Sequence, residues 1–282
     1  MSRPLYFFLI TLFLNIGTGN EPFSTAKQEH LPSGTPEGRG AWVARRVDER
    51  ETGRDARMTM RMRLFDRQGR SRERALTMLA IVGGPGRPVP GDRSLIRFTA
   101  PADIRGTGFL VWEQPGADDE RFLYLPSLGR VRRIAATETQ ESFVGSDFTY
   151  EDIGGRRLDD YTYTLLDDTS SWTAPGGVAV AAYRLESRHK DRAARFPRVV
   201  SLIRKDAFVV VHAEIHNRRD EIQKTFDAKR VEQVHGYWTA MDLSMADDGQ
   251  RTRTELIVEQ VAYDVGLRPD DFSRRELERA GP

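Results

Sequence analysis

Residues 57–64 read RMTMRMRL, so that Met58, Met60, Met62 and Leu64 alternate with Arg57, Thr59, Arg61 and Arg63. A period of two places successive side chains on opposite sides of an extended chain. The stretch therefore predicts a β-strand with one apolar and one solvated face. Asp66-Arg67-Gln68-Gly69 supplies a turn, and the chain is expected to run back through Leu76, Met78, Ala80 and Val82. After the loop GGPGRPVPGD (83–92) comes a strand carrying Ile96 and Phe98.

The same period recurs to the end of the chain. Strands are expected at Gly108–Glu113, Arg121–Leu125, Arg130–Ile134, Asp160–Leu166, Val178–Ser187 and Val199–Arg204. Others follow at Phe208–Ile215, Gln223–Val234, Tyr237–Met245 and Arg251–Tyr263. About twelve strands joined by short turns, without strand–helix alternation, predict one meandering antiparallel domain rather than a parallel α/β fold. Helical signals are few. Trp42, Val43 and Val47 predict a short amphipathic helix over Gly40–Glu51, and Ser273 with Glu276 has the spacing of a capping box. A sheet of this size cannot stay flat and open, so a curved sheet with a small helical cover and an apolar concave side is expected.

Before the domain, Arg3 and the apolar run Leu5–Leu14 have the pattern of a signal peptide over residues 1–19, too short to span a bilayer. Residues 20–39 are expected to be a flexible lead-in and 40–282 the domain. An exported, periplasmic protein follows as an expectation. With 39% apolar and 30% charged residues and a formal charge of +1, the balance is that of a globular protein and argues against a general nucleic-acid binder. The absence of cysteine removes disulfides, thiolate catalysis and Cys-ligated metals.

Catalytic or metal chemistry finds little support. His212 and His216 have helical metal-pair spacing but lie in a β-pattern, where four residues span about 13 Å, too far for one ion. The run Gly83-Gly84-Pro85-Gly86 lacks the Lys-Ser or Lys-Thr of a phosphate loop and opens no helix. No catalytic residue, metal or cofactor is therefore expected. The unusual stretch is FVGSDFTYEDI (143–153), which follows the basic residues Arg130, Arg132 and Arg133. It can be read as a loop across the sheet mouth whose carboxylates are held by the nearby arginines and by backbone N–H groups, a ligand gate built from Arg132, Arg133, Asp147, Tyr150 and Asp152. A hydrolase using Asp147, Glu151 or Asp152 is the weaker alternative. Six of the seven methionines lie on strand faces, which suits a pocket for a flexible apolar ligand as well as an ordinary core.

Three runs, FTAPADIRGTGFLVW (98–112), FLYLPSLGRVRRI (122–134) and GSDFTYEDI (145–153), resemble the divergent branch of the outer-membrane lipoprotein-sorting proteins, the LolA-like family. The segment KTFDAKRVEQVHGYW (224–238) adds to the likeness, which covers about residues 40–275. The resemblance implies an incomplete antiparallel β-barrel with helices as a lid over an apolar cavity, and a carrier of lipid or lipoprotein acyl chains rather than an enzyme. The cavity is then expected to include Met58, Met60, Met62, Ile96, Phe98, Phe109, Phe122 and Tyr124. The lid would fall to Gly40–Glu51, the loop near Ser142–Asp152 and the C-terminal helix. Relatives of this branch also imply a second role, as an accessory to an RND-type exporter, with the sheet edge or the Arg130–Arg133 hairpin as the docking surface. A monomer is expected. Sheltering one 16-carbon chain is worth up to roughly 13 kcal/mol, so a cavity would dominate binding.

Overall fold

Thr35 starts the helical cover. Its hydroxyl accepts a 3.2 Å hydrogen bond from the Gly38 N–H, and Pro36 occupies the first helical position, where its missing N–H costs nothing. Helix α1 therefore spans Pro36–Asp48, beginning inside the stretch expected to be a flexible lead-in and ending before Glu51. The computed structural model describes residues 30–279; the expected signal segment and residues 20–29 of the lead-in lie outside them.

Fourteen strands follow, β1 (Asp55–Phe65), β2 (Ser71–Ile81), β3 (Arg93–Ala100), β4 (Gly108–Trp112), β5 (Glu120–Leu125), β6 (Arg130–Ile134) and β7 (Tyr161–Asp167). The chain continues with β8 (Ser171–Thr173), β9 (Ala179–His189), β10 (Arg198–Arg204), β11 (Val210–His216), β12 (Ile222–Val234), β13 (Tyr237–Asp247) and β14 (Thr252–Tyr263). They form one antiparallel sheet in the order β6-β5-β4-β3-β2-β1-β14-β13-β12-β11-β10-β9-β7, with β8 beside β9. The two outermost strands, β6 and β7, do not pair with each other, so the sheet is not closed. Sequential hairpins explain most of the order; the exceptions are β7 beside β9 and β1 beside β14, which joins the chain's two halves.

Both faces of the sheet are covered, unequally. The inner face carries one continuous core drawn from strands across the whole sheet, including Met58, Met78, Ile96, Phe98, Leu185, Phe226 and Leu256. Helix α1 packs Val43, Ala44 and Val47 against β7 and β9. Gly40 permits the approach, since a Cβ there would lie 2.7 Å from the backbone nitrogen of Leu165. The outer face carries a smaller core over β2–β5, capped by the C-terminal segment through Phe272 and Leu277. Leu277 belongs to helix α3 (Arg274–Glu278), which Ser273 caps as its spacing predicts.

The register separates residues that the sequence places together. Phe109 pairs with Leu123 and Leu110 with Phe122, so within β5 Leu123 faces inward and Phe122 outward. Phe122 and Tyr124 thus belong to the outer core and not to the expected cavity. Phe122 packs against Trp112 at 5.2 Å between ring centroids, with the Arg274 guanidinium 5.0 Å from its ring. Alternation assigned each strand two faces, but without register it could not say which face of β5 matched the methionines of β1.

The glycine-rich loop after β2 has a backbone explanation. Gly83 bridges Val89, and a Cβ on Gly83 would lie 2.0 Å from the carbonyl carbon of Gly91. The Gly83 N–H is satisfied by Asp92 at 2.8 Å. Two chain segments cross there, and only glycine fits between them.

Candidate functional site

The inner face is apolar because the odd–even pattern of β1 to β4 directs Met58, Met60, Met62, Ile96, Phe98 and Phe109 to one side, and all six are buried. The segment between β6 and β7 joins the core that buries them. A turn at 143–145 and helix α2 (Tyr150–Gly154) fold back over the sheet and insert Phe143, Phe148, Tyr150 and Ile153. Phe143 lies 5.9 Å from Phe98 and 5.4 Å from Phe109, and Tyr150 lies 5.4 Å from Phe109, measured between ring centroids. Such spacing suits offset and edge-on aromatic packing. At Phe98 and Phe109 the expected cavity is thus occupied by the protein's own plug.

Polar contacts hold the plug from several sides. The Asp147 carboxylate accepts from the Thr252 and Thr254 hydroxyls of β14, and the Asp147 N–H donates to Thr254 at 2.9 Å. The buried Lys224 ammonium on β12 donates to the Asp147 carbonyl, and burial pushes its pKa down. Arg74 on β2 donates to the Val144 carbonyl at 2.7 Å. Val144 itself sits at φ 49, a left-handed conformation that a β-branched residue adopts only under strain.

Helix α2 carries two buried charges, Glu151 and Asp152. Thr149 and Asp152 form a reciprocal cap: the Asp152 N–H donates to the Thr149 hydroxyl at 3.0 Å, and the Thr149 N–H to the Asp152 carboxylate at 2.8 Å. Asp152 also accepts from Arg156 at 2.8 Å. Glu151 accepts from the Tyr161 hydroxyl at 2.6 Å. Burial drives the Tyr161 hydroxyl well above its ordinary pKa, and the adjacent Glu151 carboxylate adds to the rise. Burial alone would lower the Arg156 pKa; Tyr161, Asp152 and Glu151 reverse it and keep the guanidinium charged. At the neighbouring strand, Arg121 donates to Asp119 and to the Gly155 carbonyl, both at 3.0 Å.

The expected gate is accordingly split. Asp147, Tyr150 and Asp152 are in the plug, where Arg132 bonds the Tyr150 hydroxyl; Arg74, Arg121 and Arg156 also hold it, and of the expected gate only Arg133 lies apart. Arg132 pairs with Glu138 at 2.6 Å beside the Tyr150 hydroxyl, and Arg133 reaches Glu120 at 3.6 Å. Strand β6 is an edge, and long basic side chains there stay in water. One missed signal was legible: Thr149-x-x-Asp152 followed by Arg156 is a capping box with an i,i+4 ion pair. Lys224 and Arg74 gave none, because strand parity does not say what lies opposite an inward cation.

His212 pairs with Asp227 at 2.8 Å, and His216 lies 3.2 Å from an Arg198 nitrogen. Among the described residues no group of acidic or His side chains has the arrangement to hold a metal ion, and no helix is long and apolar enough to cross a membrane.

Comparison with known proteins follows the fold closely. A family model described only as that of an uncharacterized protein matches residues 90–279. A crystal structure of a DUF1329 family protein from Desulfovibrio piger has 28% identity and a TM-score of 0.76, covering 86% of this chain and all of that one. A domain described as an outer membrane lipoprotein-sorting protein, from Vibrio parahaemolyticus, has 26% identity, a TM-score of 0.76 and the same coverage. A LolA superfamily protein from Nitrosomonas europaea shares the fold at 16% identity and a TM-score of 0.60, covering 80% of this chain and 93% of its own. No curated protein matches the chain.

Proposed function

This chain belongs to the LolA-like family, and from that premise we propose that it is a periplasmic carrier that shelters acyl chains of a lipid or lipoprotein for transfer toward the outer membrane. The observation that carries the reading is the inner face itself: it holds six buried apolar side chains of β1, β3 and β4, and a 12-residue plug packs on it at Phe98 and Phe109. Phe143, Phe148, Tyr150 and Ile153 occupy the space an acyl chain would take. Their side-chain contacts with Phe98 and Phe109 are apolar, so an acyl chain can replace them at similar free energy per buried area. The strain at Val144 lowers the cost of lifting the plug by about 1–3 kcal/mol.

A carrier role agrees with the chemistry of the buried charges. Asp152 and Arg156 satisfy each other, and Asp147 is satisfied by two hydroxyls and so is not poised as a base. The test is to purify the exported protein, extract it and identify bound lipid by mass spectrometry, with uptake of a fluorescent acyl probe measured in parallel. Co-purified lipid and saturable uptake are expected; absence of both overturns the proposal.

A second reading, an accessory subunit of an envelope exporter, is favoured by the β5–β6 hairpin. Its edge strand is unpaired on one side, and Leu128 at its tip is 56% exposed beside Arg130. In-cell crosslinking from position 128 separates the two readings, because a carrier also crosslinks to cargo through its inner face.

A further inference from the structure

At one end of the open seam lies a polar groove of about 750 Å³. It is formed by the stretch that leads into the plug (Ala136–Glu141), the loop between β9 and β10, and the turn between β11 and β12. Its charges are unevenly satisfied. Glu141 is paired with Arg195 at 3.4 Å, and the Asp191 carboxylate accepts from the Ala193 N–H of its own turn at 2.8 Å. Arg218 and Arg219 have no carboxylate partner among the described residues. Arg218 is nevertheless held in place, since its guanidinium donates to the carbonyls of Ala193 and Ala194. His189 accepts the Asp191 N–H on Nδ1 at 2.9 Å, which leaves Nε2 as the ring's N–H donor.

A guanidinium fixed by two carbonyls, with a second beside it and each nearby carboxylate already engaged, matches the forked recognition of a phosphate group. The groove is also continuous with the plug. The Tyr150 N–H donates to the Glu141 carbonyl at 3.1 Å, and the Glu151 N–H to the Thr139 carbonyl at 2.7 Å. Two residues beyond Glu141, Phe143 enters the apolar core. A ligand seated in the groove therefore lies next to the point where chain crosses from polar seam to apolar interior.

We propose that this groove binds the phosphate ester of the cargo's headgroup, with Arg218 and Arg219 as its ligands, so that the carrier prefers a phosphate-bearing lipid to an uncharged acyl glycerol. The inference rests on the carrier reading above and names the class of cargo. A phosphate ester is chemically the same whether it belongs to a lipid or to a soluble metabolite, and the experiment distinguishes the two.

Uptake of an acyl-labelled phosphatidylglycerol is compared with uptake of the equivalent labelled diacylglycerol, using wild-type protein, Arg219→Ala, and Arg218→Ala/Arg219→Ala. Wild type is expected to prefer the phosphate lipid by roughly tenfold, as the loss of about one charge-assisted contact implies. The double variant is expected to lose the preference with diacylglycerol uptake unchanged. Arg219→Ala alone, whose side chain bonds no described protein group, guards against loss of folding and is expected to lower the preference in part. Equal uptake of the two lipids by wild type overturns the headgroup site and leaves the carrier reading intact. If neither lipid is taken up, the carrier reading fails and calorimetry with glycerol 3-phosphate decides. Arginine-dependent binding then retains the phosphate site with a soluble ligand, and no binding overturns it.

Discussion

The Tyr161 hydroxyl donates a 2.6 Å hydrogen bond to Glu151, and this buried contact ties the plug to β7 at the open edge of the sheet. Tyr161 is the first residue of β7, and Glu151 lies in the first turn of α2. One bond therefore couples the lid of the inner face to the seam that keeps the barrel open. Tyr161→Phe removes the donor and leaves the ring. It is expected to cost about 1–3 kcal/mol, because a buried carboxylate loses a partner. Hydrogen exchange is expected to rise first at 143–154, ahead of global unfolding; uniform acceleration across the sheet would argue against a separate plug.

Val144 offers the opposite change. Glycine tolerates φ 49 without a Cβ clash, so Val144→Gly is expected to relieve strain at the plug's turn. The melting temperature should hold or rise. Acyl-probe uptake should weaken, because the closed plug becomes harder to displace.

Asp152 caps α2 and pairs with Arg156, whose side chain is almost fully buried. Asp152→Ala loses the cap and removes the 2.8 Å carboxylate partner of Arg156, whose contact with Glu151 is longer, at 3.8 Å. A loss of about 3 kcal/mol is expected. Asp152→Asn keeps an acceptor for the Thr149 N–H and should recover part of it. Urea denaturation of the two variants measures the difference.

His212 provides a pH signature unconnected with the plug. Its hydrogen bond to the Asp227 carboxylate raises its pKa above the ordinary histidine value. A raised folded-state pKa means stabilisation that is complete below the unfolded value of about 6.5 and fades as pH rises through the folded one. Urea midpoints should therefore decline through that window in wild type. Asp227→Asn should flatten this part of the profile; an unchanged slope would falsify the assignment.

The C-terminal strap is expected to carry much of the outer face. Phe272 is fully buried, its carbonyl accepts from the Trp112 indole at 2.7 Å, and Arg97 donates to carbonyls at the end of α3. Phe272→Ala should cost about 3–5 kcal/mol. It should also expose Phe122 and Leu110 to an apolar dye.

Alternation over Arg57–Leu64 and its repeats specified the fold class directly. Strand period is a local property, and the inward set Met58, Met60, Met62, Ile96, Phe98 and Phe109 followed from it together with the family resemblance. Phe122 and Tyr124 failed the same inference because strand parity gives two faces without naming them. The Thr149–Asp152 cap and its Arg156 partner were readable at short range. Lys224 and Arg74, distant in sequence from the plug they hold, were not.

What the amino-acid sequence by itself determined was therefore one antiparallel sheet with an apolar side, because period two and turn chemistry act within a few residues. Tertiary structure decided how that side is filled. Pairing β1 with β14 joins the two halves of the sheet, and Thr252, Thr254 and Lys224 of the second half meet Asp147, so that 143–154 closes over Phe98 and Phe109 of the first. Such contacts depend on register between strands some 200 residues apart, which no local pattern encodes.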